Sequence, residues 1–244
     1  MNAVEIHALT LAFNGQQLFG ELNFALPKGE WTVLLGRSGV GKSTLLRAIA
    51  GLEKHAVQQG QIHFPQPLKL AWLAQQNSLY PWLSIVDNVQ LEQHLNGTKN
   101  AETQAKAEYL LTAVQMTPHR HKPCYQLSDG QRQRVALART LMQDADLILM
   151  DEPFSALDAV TRLQLQDLSC RLLAGKTVLL ITHDPQEAIR LGDRIYTLQN
   201  TPKPLSRALL PPGQKPRNLT QHALLPLQQQ LFKQLLSGED YELA

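Results

Sequence analysis

Apolar residues along the chain fall into short runs that alternate with stretches of helical spacing. Residues 4–11 and 17–26 read as two strands of a small antiparallel layer. Residues 31–35 (WTVLL) form a continuous apolar run that ends in a glycine-rich turn, the pattern of a buried strand. Residues 43–50 carry apolar positions at helical spacing and stop at Gly51, a natural terminator. Residues 70–74 are another short strand. From about residue 81 to 126 the character changes, and residues 101–115 (AETQAKAEYLLTAVQ) are rich in helix formers without Gly or Pro. This stretch reads as a helical insertion. Residues 131–142 predict a helix bearing Arg132, Arg134 and Arg139. A buried strand at 147–150 runs into Asp151 and Glu152, and a helix at 160–173 is punctuated by Gly175. A last buried strand at 177–181 runs into Thr182 and His183. Strands alternating with helices imply an α/β architecture. Residues 201–216 hold five prolines and exclude a regular core element. Beyond them Leu224, Leu227, Leu231 and Leu235 share one face of a short amphipathic helix.

Composition narrows the class. The 244 residues are 43% hydrophobic, enough for a substantial core and too many for wholesale disorder. Charged residues make up 18%, and 23 Lys+Arg against 21 Asp+Glu leave a net charge of +2, which gives no chain-wide nucleic-acid footprint. Cys124 and Cys170 lie far apart with no CxxC, so a reducing compartment is expected rather than a disulfide framework or zinc knuckle. The N-terminus lacks a basic patch followed by an apolar stretch, so no signal peptide is expected. The apolar runs are far shorter than the roughly 20 residues of a membrane span. A cytoplasmic location is the expectation.

Residues 36–44, Gly36-Arg37-Ser38-Gly39-Val40-Gly41-Lys42-Ser43-Thr44, contain GxxxxGK[ST]. A triphosphate needs many donors at close range. Glycines let the backbone wrap it with N–H groups turned inward, and the following helix offers its positive end. Lys42 can reach the β- and γ-phosphates, and the Ser43 hydroxyl can ligate Mg²⁺. The bland alternative is a glycine-rich turn with an incidental lysine. The position between an apolar strand and a helical pattern speaks against it.

Asp151 and Glu152 end an apolar strand. In a phosphoryl-transfer site the first carboxylate can hold the Mg²⁺ shell and the second can polarise an attacking water. Alone, such a pair is also what an ordinary acidic turn looks like; its meaning comes from the phosphate loop upstream. His183 follows the next buried strand. Parallel strands end on one edge, where ligands collect, and a histidine there can bond a γ-phosphate or the water. The other seven histidines have no such setting.

Together these features resemble the nucleotide-binding subunit of ATP-binding-cassette (ABC) transporters over the first 200 residues. Residues 127–134, LSDGQRQR, are similar to the family's signature segment LSGGQ and its basic continuation. Residues 155–158, SALD, look like the D-loop, with Asp158 its acidic residue. His183 matches the switch histidine, Gln75 the Q-loop glutamine (with Gln76 as the adjacent choice), and Phe13 the aromatic that stacks on adenine. The resemblance implies a P-loop NTPase (RecA-like) α/β core with an N-terminal antiparallel β layer and an inserted helical subdomain. The ATPase domain would span residues 1–200, with the helical part at about 81–142, followed by a proline-rich segment and a short helix at 201–244. It also implies the cofactors ATP and Mg²⁺, the metal held by Ser43, Gln75 and Asp151. Residues 36–44, Phe13 and Gln75 would contact ATP, Glu152 would be the general base, and Lys42 and His183 would complete the catalytic set. A second copy of the chain would face the first, with Ser128, Asp129, Gly130 and Gln131 of one touching ATP on the other. Asp129 departs from the family's glycine; a carboxylate beside a γ-phosphate would be repelled, so its side chain is expected to point away.

Residues 79–89 (LYPWLSIVDNV) resemble the segment after the Q-loop in importer ATPases, which lines the groove for a permease helix. Tyr80 and Trp82 are candidate anchors, though ordinary core aromatics beside a turn would look the same. The Pro-Trp pairing resembles the branch that imports nitrate, sulfonates, taurine and thiamine pyrimidine precursors, and the expectation within it is a thiamine pyrimidine precursor or related small solute. The implied partners are an integral-membrane permease, a solute-binding protein acting indirectly and the second copy; no nucleic acid is expected. The chain would sit at the inner face of the cell membrane. The alternatives are a soluble ABC protein of translation or repair, an exporter or lipoprotein-release ATPase, and a metabolic P-loop kinase. The last has no use for residues 127–131.

Overall fold

A computed structural model of the chain describes residues 1–13, 15–75, 78–199 and 204–236. The strands are β1 (Asn2–Phe13), β2 (Gln16–Pro27), β3 (Trp31–Leu35), β4 (Val57–His63), β5 (Leu70–Leu73), β6 (Leu147–Asp151), β7 (Thr177–Thr182) and β8 (Arg194–Thr197). The helices are α1 (Lys42–Ile49), α2 (Ile85–Val89), α3 (Leu91–Leu95), α4 (Ala101–Ala113), α5 (Asp129–Met142), α6 (Ala159–Leu172), α7 (Pro185–Leu191) and α8 (Leu225–Leu236). They divide between two compact units, Met1–Leu68 with the chain from Ala174 onward, and Lys69–Leu173.

In the first unit β1 is the middle of an antiparallel sheet ordered β2-β1-β4. Its alternation sets one face inward: Val4, Ile6, Leu9 and Leu11 are buried, and Leu22, Phe24 and Leu26 of β2 join them. The pairing with β2 shifts register at several points, one of them between Ile6 and Leu9, where the inward alternation changes phase and Ala8 takes a positive φ of 47°. Gly60 of β4 lies against that bulge, and a Cβ there would fall 2.3 Å from the Ala8 carbonyl oxygen, so this crossing takes only glycine. β3 pairs in parallel with β7 on one side and β8 on the other. All residues of β3 and β7 are buried, as expected of strands covered on both faces.

The chain after β8 is fastened to this unit. Leu205 and Leu209 make isolated bridges to Leu198 and Ile195. Arg217, only 3% exposed, donates to the carbonyls of Ile189 and Gly192 at the end of α7 and to those of Pro211 and Pro212. Hydrogen bonds from a charged donor contribute about 1.5–3 kcal/mol each. Leu224 and Leu231 are buried beneath α8, on the face its leucine spacing predicts.

In the second unit β5 and β6 pair in parallel, with Leu73 opposite Met150, so their C-terminal ends lie side by side. Between them in sequence come α2 to α5. α4 opens with a capping box between Asn100 and Thr103, and its buried face of Ala107, Leu110 and Leu111 belongs to the unit's core.

The predicted strands and helices are present with ends shifted by at most two residues, and β3 has the predicted bounds. β4, α7 and β8 were not predicted, and α2 and α3 fall within the helical insertion expected from about residue 81 without having been given bounds of their own. β4 reads VQQGQIH, with glutamines on an exposed edge strand and no apolar alternation, and the others are four to seven residues long. Among the described residues no helix is long and apolar enough to cross a membrane.

Candidate nucleotide site

The predicted site residues fall into two groups, one in each unit. In the first unit the turn after β3 is shaped by its glycines. Gly39 and Gly41 have φ of 84° and 100°, in the left-handed region that side-chain-bearing residues avoid. A Cβ on Gly36 would lie 2.6 Å from the Leu198 carbonyl oxygen. Gly41 is the N-cap of α1, no side chain caps that helix, and its first turn carries no carboxylate. The helix start therefore keeps its positive end for an external anion. Lys42 is 4% exposed, and its Nζ donates to the carbonyls of Gly36 and Arg37, both at 2.7 Å, which folds the ammonium back over the turn.

His183 is brought to the same place by sheet register. β7 ends one residue before it, and the Gly36 N–H donates to the Thr182 carbonyl at 3.3 Å. The His183 ring is exposed, and Asp184 behind it caps α7 by accepting from the Gln186 N–H. Phe13 ends β1 and is 42% exposed. Its strand pairs with β2, whose Leu18 and Phe19 stand about 3 Å from where a Gly41 Cβ would be. The hairpin thus lies against the start of α1 through Leu18 and Phe19, and Phe13 is exposed at the end of its first strand, opposite Gln16.

In the second unit Asp151 is the last residue of β6 and is buried, and Glu152 follows with a φ of 45°. The left-handed backbone turns the chain sharply off the strand. The Glu152 carbonyl accepts from the Ser155 N–H at 3.3 Å and from Ser155 Oγ at 3.0 Å. Gln75, two residues beyond β5, donates from Nε2 to that same Ser155 Oγ at 3.3 Å. Ser155 therefore ties the glutamine to the turn carrying the carboxylates. Gln76 lies outside the described residues.

Asp158 is the N-cap of α6. Its Oδ1 accepts from the N–H groups of Val160 and Thr161, and the Thr161 N–H is the main reason its carboxyl is held below the usual carboxylate range. Ser128 caps α5 in a reciprocal box with Gln131: Ser128 Oγ accepts from the Gln131 N–H, and Gln131 Oε1 accepts from the Ser128 N–H. Gly130 is closely packed: a Cβ would fall 2.5 Å from Thr161 Cγ2, so that side chain would have to move to admit one. Asp129 reaches along its own helix to an ion pair with Arg132, and its side chain is 63% exposed. Asp129, Arg132 and Gln133 share a cleft of about 430 Å³ with Gln75 and the 153–157 turn.

Two residues that position these groups went unpredicted. Asn88, fully buried, accepts from the Tyr80 N–H and donates to the carbonyls of Tyr80, Leu83 and Ser84. A lone asparagine within the apolar run IVDNV was the available signal. Ser155 had none beyond its place in SALD.

The sequence profile described as ABC transporter matches residues 19–155. The chain belongs to the ABC transporter family. It is an ATP-binding subunit of that family and an ATPase. An uncharacterised ABC transporter ATP-binding protein of Haemophilus influenzae is 58% identical over 235 residues, covering 95% of this chain and 98% of that one. The aliphatic sulfonates import ATP-binding protein SsuB 1 of Paracoccus denitrificans is 40% identical over 200 residues, covering 81% and 80%. Among solved structures, cbiO1 from Clostridium perfringens, part of the ABC transporter complex cbiONQ, superposes with a TM-score of 0.75 over 86% of this chain and 89% of that one. At 23% identity it supports the fold alone.

The ion pair of Asp129 gives the signature departure a concrete expectation. An exposed pair of this kind contributes about 0–1 kcal/mol, and the Ser128–Gln131 box does not depend on it. Asp129→Gly is expected to leave steady-state ATP hydrolysis within about three-fold of the parent, below the tenfold that 1.4 kcal/mol would produce. A hundredfold change in phosphate release, in either direction, would mean that the carboxylate faces nucleotide.

Proposed function

We propose that this chain is the ATP-hydrolysing subunit of an importer, driving uptake of a small sulfonated organic anion through a separate integral-membrane permease. The observation that carries the reading is the 40% identity to the Paracoccus denitrificans sulfonate importer subunit across four-fifths of both chains. It favours a sulfonate over the thiamine pyrimidine precursor expected from the Pro-Trp pairing. The chain then works at the cytoplasmic face of the membrane, bound to the permease, and a solute-binding protein acts on it only indirectly.

The residues fit the nucleotide and its metal. Gly36 to Thr44 present backbone N–H groups and the Lys42 ammonium to the phosphates, an arrangement supported by the left-handed glycines and the uncapped helix start. Phe13 offers its ring face to the base. The Ser43 hydroxyl, the Asp151 carboxylate and the Gln75 amide oxygen are hard oxygen donors, the set Mg²⁺ prefers. These residues would hold Mg²⁺, which would supply neutralisation of the phosphate charge. Glu152 accepts the proton of the attacking water, and His183 holds that water and the γ-phosphate in line. Ser128, Gly130 and Gln131 act on ATP held by a second copy, so the working unit is a homodimer with two shared sites, and Asp158 fixes the start of α6 beside them. After hydrolysis the γ-phosphate no longer bridges the copies, and they part.

The permease face is the Tyr80–Trp82 segment. Their rings pack edge to face at 5.2 Å, and Trp82 is 75% exposed. Tyr80 also lines a cleft of about 560 Å³ with Leu70, Trp72, Val89 and Leu91, wide enough for side chains of an inserted helix.

Deleting the gene tests the reading. Growth with an aliphatic sulfonate as sole sulfur source is expected to fail, while growth on sulfate is normal and a plasmid copy restores the defect. Unimpaired sulfonate growth, with loss of thiamine pyrimidine uptake instead, would move the solute to the other part of the branch. Unimpaired growth and uptake of both, in a cell where the protein purifies without any multi-span membrane partner, would remove the importer reading.

A further inference from the structure

The segment leaving Gln75 is held at two points in the second unit. From Tyr80 to Ser84 it is pinned by Asn88 of α2 through the four main-chain bonds described above. The upstream point is Ser78, whose carbonyl accepts from Arg139 Nη1 at 3.0 Å. Ser78 has a φ of 39°, in the left-handed region that a serine rarely adopts, and the Arg139 bond is a direct restraint on it. Arg139 is half-buried with Tyr80 and Cys124 near its guanidinium, and burial pushes its pKa down, so a flexible surface side chain does not describe it.

Arg139 lies on α5, eleven residues beyond Ser128. One helix, about 16 Å long between these points, therefore carries the signature cap at one end and the grip on Ser78 further along. Gln75 is three residues from Ser78, a tether of at most about 11 Å. At its other side Gln75 reaches Ser155, in the turn that follows Asp151 and Glu152.

We infer that Arg139 is a positioning residue for hydrolysis: by gripping the main chain at Ser78 it ties the Gln75 segment to the helix carrying Ser128 to Gln131, so that what one copy contributes to its own ATP, through Gln75, moves together with what it contributes to the ATP of the second copy. Arg139 touches neither nucleotide nor metal and acts through Gln75. The inference rests on the proposed role of Gln75 at the site.

The experiment is a double-mutant cycle on the full chain, with kcat and the KM for ATP measured for the parent, Arg139→Met, Gln75→Ala and the pair. A displacement of about 1 Å at a reacting group can cost up to about a hundredfold in rate. Arg139→Met is expected to lower kcat by about tenfold or more with KM within about twofold, and Arg139→Lys, which keeps one donor and the charge, to recover part of it. In the Gln75→Ala background Arg139→Met should add no further loss, because residues acting through one another are not additive. Parental kcat in Arg139→Met overturns the inference, and so does a loss that multiplies with that of Gln75→Ala, which marks a separate structural role. If Arg139→Met does not fold, Arg139→Lys carries the same cycle, and its deficit must vanish in the Gln75→Ala background. If Gln75→Ala itself hydrolyses ATP at the parental rate, the proposed role of Gln75 fails and the inference falls with it, whereas parental kcat in Arg139→Met beside an impaired Gln75→Ala leaves the site reading intact.

Discussion

Lys42→Ala is expected to abolish ATP turnover, with a loss of a thousandfold or more in kcat/KM and weakened nucleotide binding. The side chain is almost fully buried and already sits among acceptors, on the Gly36 and Arg37 carbonyls. An entering phosphate competes for the same ammonium, and the helix start behind it adds its own positive end. Removing one donor aimed at developing charge in a preorganised site costs about a hundred- to a thousandfold, and here the donor also carries the full charge. The fold should survive. The two carbonyls lose their partner, at about 1–3 kcal/mol if they stay buried, and each kcal/mol moves the melting temperature of a domain this size by about 2–4 °C. Phosphate release, binding of a fluorescent ATP and a thermal melt together separate these effects. Parental hydrolysis in a folded Lys42→Ala protein would remove the phosphate-loop assignment.

What was legible beforehand follows from how local each signal is. The strands β3, β6 and β7 are short, almost continuous apolar runs bounded by turn or polar residues, the pattern of strands covered on both faces. The turn at residues 36–44 was legible because backbone geometry, helix polarity and one cation are all written in nine consecutive residues. β4 was not legible, because an edge strand of glutamines is defined by its partner β1 rather than by its own pattern. β8 and α7 were too short to establish a period.

The site divides the same way. Asp151 and Glu152 stood out as carboxylates ending an apolar run, but nothing in the sequence foretold that Glu152 would take a left-handed backbone or that Ser155 would join its carbonyl to Gln75. The SALD aspartate was read for its place at a nucleotide site, while its visible work is to cap α6. Ser128 and Gln131 likewise make a capping box, a pairing the S-x-x-Q spacing itself encodes. The positioning work of Arg139 is carried by a contact over 61 residues of chain, a range at which local pattern is silent; that of Asn88 is local, four to eight residues along the chain, but its main-chain partners leave no mark in side-chain pattern.

Glu152→Gln separates the chemistry from the architecture. The substitution is nearly isosteric, so it keeps the backbone at a φ of 45° and both bonds that the Glu152 carbonyl accepts from Ser155. Only the capacity to take a proton is lost. A general base contributes about a hundred- to ten-thousandfold, so turnover should fall into that range while affinity for ATP is retained. If the signature segment of one copy engages ATP on the other, blocking hydrolysis preserves the bridge. The variant is then expected to run as a dimer in light scattering with ATP and Mg²⁺, and as a smaller species after chelation of the metal or replacement of ATP by ADP. Adding Ser128→Arg, which puts a bulky side chain at the cap of α5, should abolish the dimer without preventing ATP binding to the Lys42 loop. A Glu152→Gln protein that binds ATP, fails to hydrolyse it and stays monomeric would keep Glu152 as the base and sink the shared-site arrangement. Hydrolysis at the parental rate would sink the assignment of the base itself.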